Sequence, residues 1–274
     1  MDFITKLEMA QKLNRSLVCV GLDPVLERLP EGCRREEKPF LAFNRAVVEA
    51  TADLVCAYKP QIAHYAACGA EAELAETIAF IHQRCPGIPV ILDAKRGDIG
   101  STAARYADEA FTRYQADAVT VNPYLGGDSL EPFLSYREHG VVILCRTSNP
   151  GGADLQGLET ASGRPLYLEV ARLAARQWNG NGNILLVVGA TWPEELAKVR
   201  EEVGPMPLLV PGIGAQGGDL QAVLEAGLRA DGGGLVINSS RGIIYAGEGP
   251  DFAGAVRRAA MQLRDQVNSF RDPS

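Results

Sequence analysis

Short apolar runs rich in valine, isoleucine and leucine recur along the whole chain and alternate with longer segments of helical periodicity. Runs of this kind, without polar alternation, are typical of parallel strands buried on both faces. Eight of them predict strands at 17–21, 54–58, 89–92, 118–121, 141–144, 184–188, 208–210 and 235–237. The segments between and after them predict helices at 41–51, 71–82, 102–114, 130–138, 166–178, 193–202, 219–226 and 251–267, and an amphipathic stretch at 7–13 predicts an opening helix.

Eight strand–helix units favour one closed (β/α)8 TIM barrel, of the α/β class, over an open doubly wound sheet. The 274 residues fit a single domain over 1–274, because such barrels commonly occupy about 250 residues. Two stretches, 24–39 and 151–164, exceed the regular pattern. Both follow a strand, so we expect them on the face of the barrel where active sites are found.

Composition and charge exclude several classes of protein. No apolar run approaches the roughly 20 residues of a membrane-spanning helix, and the N-terminus lacks the layout of a signal peptide. The net charge of -7 argues against a general nucleic-acid surface. Six cysteines without a C-x-x-C pair indicate reduced thiols. We therefore expect a cytoplasmic protein that binds neither membranes nor nucleic acids.

Ionisable residues follow the first three predicted strands. Asp23 comes after the first, Lys59 after the second, and Asp93 and Lys95 stand at the end of the third. Being two apart on an extended strand, Asp93 and Lys95 should point to the same face, toward the mouth of the barrel, with Asp98 just beyond. Taken singly, each has a structural alternative: an ion pair, a turn aspartate or a surface lysine. Their convergence predicts a functional site, because unpaired buried charges cost several kcal/mol each.

An anion site is predicted from the last two strands. The glycine-rich stretch 211–218 offers backbone N–H groups, and 238–243 brings the guanidinium of Arg241. Barrels often bind phosphate at this place, although turn glycines and a surface arginine remain the alternative. A dinucleotide-binding interpretation of the glycines fails because they come late in the chain, without the opening βαβ unit. The three histidines show no metal-ligand spacing, so no metal is predicted.

These motifs together resemble the orotidine 5'-monophosphate decarboxylase family. The element Asp93-x-Lys95-x-x-Asp98, continued as far as Thr102, looks like the longer-chain bacterial branch of that family, and 211–218 is similar to its phosphate-gripping loop. The similarity runs from Gly21 to the Arg241 segment. It implies a homodimer in which Asp98 and Thr102 enter the partner's active site, and it implies that no cofactor is needed.

The implied reaction replaces the C6 carboxylate of orotidine 5'-monophosphate by hydrogen and gives uridine 5'-monophosphate and CO2, the final step of de novo pyrimidine synthesis. By the resemblance, Lys95 stabilises the carbanion and protonates C6, Asp93 sits beside the departing carboxylate, and Lys59 and Asp98 hold that pair. Contacts are implied from Asp23 and Lys59 to the ribose, from Ser148 to the pyrimidine, and from Gln216 and Arg241 to the phosphate. The residues expected to bind substrate are Asp23, Lys59, Thr102, Ser148, Gln216, Arg241 and Gly242.

Three other functions fit parts of the pattern. A metal-dependent sugar-phosphate decarboxylase of the same superfamily shares the D-x-K-x-x-D element, but it resembles an enzyme with an acidic residue on strand two, where this chain has Lys59. An aldolase that forms a Schiff base would also use a lysine on a barrel strand. A non-catalytic nucleotide-binding barrel is the third, since a fold does not fix a function.

Overall fold

The computed structural model describes residues 1–213 and 218–271. Its strands are β1 (Val18–Leu22), β2 (Ala57–Pro60), β3 (Ile91–Arg96), β4 (Ala118–Val121), β5 (Gly140–Arg146), β6 (Ile184–Val188), β7 (Leu208–Pro211) and β8 (Leu235–Ser239). Its α-helices are α1 (Phe3–Leu13), α2 (Glu31–Arg34), α3 (Pro39–Thr51), α4 (Ile62–Ala66), α5 (Glu71–Arg84), α6 (Gly100–Asp108), α7 (Gly127–Leu134), α8 (Ala153–Gln156), α9 (Leu166–Leu173), α10 (Pro193–Val203), α11 (Leu220–Gly227), α12 (Arg241–Ile244) and α13 (Phe252–Arg271).

The eight strands form one parallel sheet in the order β2-β1-β8-β7-β6-β5-β4-β3. The first and last strands of the chain are neighbours, with Cys19 opposite Asn238. Two isolated parallel bridges, Tyr58 with Val90 and Gln61 with Asp93, join β2 to β3. The predicted (β/α)8 barrel is therefore confirmed.

Most predicted elements lie within a few residues of their observed bounds. Among the strands, β3 ends at Arg96 rather than at position 92, and β2 begins at Ala57 rather than at position 54. Leu54 and Val55 are fully buried, but the Leu54 amide donates to Thr51 O in a turn that follows α3. Apolar character alone does not distinguish the buried residues 54–56, which precede the strand, from the strand itself. The predicted helices at 102–114 and 166–178 each end in a π-helical turn, at Glu109–Arg113 and Ala174–Trp178.

The bottom of the barrel is closed by the opening helix. Phe3 and Leu7 of α1 are buried, and the Phe3 amide donates to Glu138 O at 2.8 Å. Side chains that point into the barrel alternate with side chains that face the surrounding helices. The inner group is Phe3, Leu7, Cys19, Cys56, Ala57, Ile91, Ala118, Val142, Leu185, Val187, Leu209 and Val236. Because this plug is apolar, polar chemistry is confined to the other end.

Within 1–213 and 218–271, no helix combines the length and the apolar character needed to cross a bilayer. The six cysteines are free thiols.

Candidate active site

A cavity of about 450 Å³ opens at the C-terminal ends of the strands. It contains six of the predicted site residues, namely Asp23, Lys59, Asp93, Lys95, Ser148 and Arg241. Its other lining residues are Thr120, Leu144, Thr147, Asn149, Val187, Leu209, Pro211, Gly212, Ile213, Asn238, Ser239 and Ser240. Asp23, Lys59, Asp93 and Lys95 come from the side of β1 to β3 and Arg241 follows β8, whereas β5 to β7 contribute the apolar wall of Leu144, Val187 and Leu209.

Asp93 is held between two lysines in this cavity. Lys59 Nζ donates to Asp93 Oδ2 at 2.7 Å, and Lys95 Nζ donates to Asp93 Oδ1 at 2.6 Å. Asp93 and Lys59 are only 7% and 4% exposed, while the side chain of Lys95 is 47% exposed. The cluster therefore has a buried ion pair at its base and one ammonium group that reaches the open part of the cavity.

The charge states of the buried pair follow from these contacts. Burial alone would raise the pKa of Asp93, but the charges and hydrogen bonds of Lys59 and Lys95 outweigh it and hold that pKa well below its ordinary range. Burial would likewise lower the pKa of Lys59, yet the negative charges of Asp93 and Asp23 raise it above its ordinary value. Both groups are consequently ionised at neutral pH, so Asp93 presents a negative charge to any ligand beside it.

Asp93 and Lys95 converge through a bulge rather than through regular strand alternation. Leu92 pairs with Val119 and Arg96 pairs with Val121, so β3 carries two more residues than β4 over this interval. Lys95 has a φ of 48°, in the left-handed region that a non-glycine residue rarely adopts. The two side chains meet as the sequence predicted, but the extended geometry assumed for them was wrong.

Thr120 of β4 lies opposite this bulge and was not predicted as a site residue. Its hydroxyl donates to Asp93 Oδ1 at 2.9 Å and accepts from the amides of Ala94 and Lys95, each at 2.9 Å. It is 1% exposed. Its position in the apolar run 118–121 gave no sign of this role.

Asp23 and Asn238 supply unused hydrogen-bonding groups. Oδ1 of each is buried and has no protein partner within the described residues. A Cβ at Gly21 would lie 1.8 Å from Ser240 Oγ, so only glycine allows the loop after β8 to approach β1 this closely. Since buried polar atoms are normally satisfied, these two oxygens point to a ligand or to water in the cavity. Asn238 lies in the predicted anion-site stretch 238–243, but the sequence indicated a role there for Arg241 and Gly242 alone.

Some residues of the predicted anion site line the cavity, and whether they bind an anion stays a prediction. Gly212, Ile213 and Arg241 line the cavity, and Gly242 follows within α12. Arg241 is exposed, and no carboxylate in 1–213 or 218–271 forms an ion pair with it. Gln216 lies outside the described residues. The cavity thus has an available guanidinium at the β7–β8 side.

The turn that carries Ser148 is fastened by Gln156 of the segment 151–164. Gln156 Oε1 accepts from the Thr147 amide at 2.9 Å, and Gln156 Nε2 donates to Thr147 Oγ1 at 2.9 Å. Trp192 Nε1 donates to Thr147 O at 2.9 Å. At Gly189 a Cβ would come within 2.6 Å of Ser148 Cα, which explains a glycine there. The sequence analysis gave this segment no role, because one glutamine in a polar loop carries no distinctive signal.

Asp98 and Thr102 do not line the cavity of their own chain. Asp98 Oδ1 accepts from the Ile99 amide, and Thr102 is exposed on α6. The expectation that both act in a partner's site remains a prediction. In the described part of the chain, no three His, Cys, Asp or Glu side chains form a group that could hold a metal ion.

The fold and the cavity define a (β/α)8-barrel enzyme with a Lys–Asp–Lys cluster on one side of the cavity and Arg241 on the β7–β8 side. Residues 16–255 match the family described as "Orotidine 5'-phosphate decarboxylase / HUMPS family". The chain belongs to this family.

Several relatives carry the same family name over their whole length. The orotidine 5'-phosphate decarboxylase of Cellvibrio japonicus is 59% identical over 273 residues, which cover 99% of this chain and 100% of that protein. That of Ralstonia pickettii is 58% identical over 272 residues, with 99% and 100% covered. The solved OMP decarboxylase of Leishmania donovani superposes with a TM-score of 0.86 at 44% identity and covers 99% of both chains.

Proposed function

We propose that this chain converts orotidine 5'-monophosphate to uridine 5'-monophosphate and CO2, the final step of de novo pyrimidine synthesis. The observation that carries the proposal is the ionised Asp93 between Lys59 and Lys95, in a cavity that also holds Arg241. The full-length relatives named orotidine 5'-phosphate decarboxylase support the same substrate.

The reaction follows from the charges around C6. The bond from C6 to the carboxylate breaks, CO2 leaves, and the electron pair remains on C6. The Lys95 ammonium, which reaches the open part of the cavity, stabilises that pair and donates a proton to C6; solvent then reprotonates the lysine. Asp93 repels the substrate carboxylate but not neutral CO2, so the repulsion falls as the bond breaks. Such charge placement can supply a large share of a barrier reduction of roughly 8–23 kcal/mol.

Substrate binding is assigned from the cavity wall. We assign the contacts to the ribose hydroxyls to the unpartnered Oδ1 of Asp23 and to Lys59. Ser148 faces the cavity from the fastened turn and accounts for a contact to the pyrimidine. Arg241 at the β7–β8 side binds the phosphate, with the neighbouring Gly242 backbone and with Gln216. Phosphate binding far from C6 can be used in the transition state, so the free nucleoside should lose turnover as well as affinity.

We propose a homodimer in which Asp98 and Thr102 complete the partner's site. Both residues stand outside the cavity of their own chain. Ile99, next to Asp98 in the sequence, is 58% exposed, and Tyr124 and Leu125, which follow the Asn122 that packs against Gly97, are 76% and 46% exposed. Exposed apolar groups with polar residues around them are typical of a protein interface. We also propose a cytoplasmic location, which the free thiols support.

A metal-dependent sugar-phosphate decarboxylase is the second candidate, and β2 discriminates against it. Such an enzyme would place an acidic residue at the end of β2, where this chain buries Lys59 against Asp93. A metal cation bound at that place would lie close to the Lys59 ammonium group and would be repelled by it.

An ultraviolet assay of orotidine 5'-monophosphate consumption tests the proposal. The purified chain should consume the substrate equally with and without a chelator. Lys95→Ala and Asp93→Asn should each lower kcat/KM by at least about 10⁴-fold, because proton transfer and charge stabilisation are lost together. Lys12→Ala, on the exposed face of α1 at the opposite end of the barrel, is the control and should keep full activity. Loss of activity with chelator, or unchanged turnover in Lys95→Ala, would overturn the assignment.

A further inference from the structure

We propose that Thr120 is a positioning residue that holds the backbone of Lys95 in its left-handed conformation and thereby places the Lys95 ammonium for proton transfer. The inference rests on the proposed function, because it concerns the same lysine. Thr120 would act through Asp93 and Lys95 without touching the substrate itself.

The hydrogen bonds of Thr120 use every bonding position of its hydroxyl. A hydroxyl has one proton and two lone pairs. The proton goes to Asp93 Oδ1, and the lone pairs accept the amides of Ala94 and Lys95, all at 2.9 Å. Since Thr120 is 1% exposed, water cannot readily replace it. Its orientation is therefore fixed by three partners at once.

The bulge in β3 explains why a side chain is needed at this point. Two extra residues between Leu92 and Arg96 interrupt the regular ladder with β4. The amides of Ala94 and Lys95 thus have no β4 carbonyl in register and bond instead to the Thr120 hydroxyl. A buried amide without an acceptor is costly, and so is a non-glycine residue at positive φ. One hydroxyl offsets both costs.

The same hydroxyl also sets the geometry of the acid. Asp93 Oδ1 accepts hydrogen bonds from Thr120 Oγ1 and Lys95 Nζ, while Asp93 Oδ2 accepts one from Lys59 Nζ. Thr120 therefore ties the carboxylate and the backbone of Lys95 to one atom of β4. Loss of this atom would free both the carboxylate and the lysine backbone, whereas Arg241 and Ser148 on the other strands would stay in place.

The test compares hydroxyl and non-hydroxyl residues at position 120. Thr120→Val keeps the shape and removes the hydroxyl. Its kcat should fall roughly 10²-fold, the cost expected for a misplacement of about 1 Å, while KM and the Kd for uridine 5'-monophosphate stay within about two-fold. Thr120→Ser should restore most of kcat. Thr77→Val is the matched control, since Thr77 is also fully buried and its hydroxyl accepts from Asn44 Nδ2 at 3.1 Å, away from the cavity; it should keep the wild-type kcat.

The comparison stays decisive if the valine variant does not fold, because Thr120→Ser and Thr120→Ala differ by the hydroxyl alone. Serine should exceed alanine in kcat by at least about ten-fold, a difference of about 1.4 kcal/mol. Equal kcat in those two variants, a wild-type kcat in Thr120→Val, or a parallel loss of product affinity would overturn the inference. An inactive wild-type protein would instead overturn the proposed function, so the two failures are distinguishable.

Discussion

At the scale of single residues, the ion pair between Asp93 and Lys59 combines a stabilising contact with two large desolvation costs. Burial opposes ionisation of both groups, and their mutual attraction reverses that effect. Removing one partner of such a pair typically costs about 3–5 kcal/mol, because the other charge stays buried without compensation. The cluster is therefore stable only as a complete set, which suits a site that needs a fixed negative charge.

This arrangement predicts how the stability of Asp93→Asn depends on pH. The pKa of Asp93 is depressed in the folded protein, so its stabilisation is complete above the ordinary aspartate pKa and is lost as pH falls toward the folded value. We expect the variant to be about 3–5 kcal/mol less stable than the wild type at pH 7, with the difference narrowing below about pH 4. Urea denaturation at pH 7, 5 and 3 measures it. A difference that grew toward low pH would contradict the depressed pKa.

The charged residues of the site could be predicted from the sequence, and their supports could not. Asp93 and Lys95 can be recognised in the sequence because they are charged residues at the end of an apolar strand. Thr120 sits inside such a strand, and threonine is common there. Its role depends on two extra residues in the neighbouring strand, and such a bulge depends on pairing across the sheet.

At the scale of elements, the segment 151–164 acts as a brace for the substrate-facing turn at 147–149. Through Gln156 it satisfies both the amide and the hydroxyl of Thr147, and Thr147 Oγ1 in turn donates to Asn149 Oδ1 at 2.7 Å. Sequence analysis placed this segment correctly on the active-site face, from its position after β5. The contact between Gln156 and Thr147 could not be predicted from the sequence, since loops lack the periodic pattern that identifies helices and strands.

Gln156→Leu should therefore weaken binding of both substrate and product. The substitution keeps a side chain of similar size but leaves the Thr147 amide without its acceptor, a loss of about 1–3 kcal/mol. We expect the Kd for uridine 5'-monophosphate and the KM to rise roughly ten-fold, with a smaller change in kcat. Calorimetry with uridine 5'-monophosphate measures the first. Gln266→Leu on the exposed face of α13 is the control, and equal affinities in the two variants would show that the brace has no influence on the site.

At the scale of the whole molecule, the barrel separates stability from chemistry. The floor is sealed by apolar residues and α1, and the ionised cluster is confined to the opposite rim. Eight strand–helix units are enough to predict this division from sequence, because each unit repeats the same local pattern. Whether one chain or two chains complete a site cannot be predicted in this way, because nothing in the spacing of Asp98 and Thr102 indicates whether they act in their own chain's site or in the partner's.

Mixing two inactive variants decides which chain Asp98 serves. Lys95→Ala and Asp98→Ala each remove one residue, and in a mixed dimer with shared sites one of the two sites keeps both wild-type residues. Random reassociation makes about half of the dimers mixed, so about a quarter of all sites should regain activity. Reassociated mixtures would be assayed against each variant alone, with a mixture of Lys95→Ala and Asp93→Asn as the control. The control pair should stay inactive, because Lys95 and Asp93 line the same cavity of one chain. If the Lys95→Ala and Asp98→Ala mixture also stayed inactive, Asp98 would belong to its own chain's site.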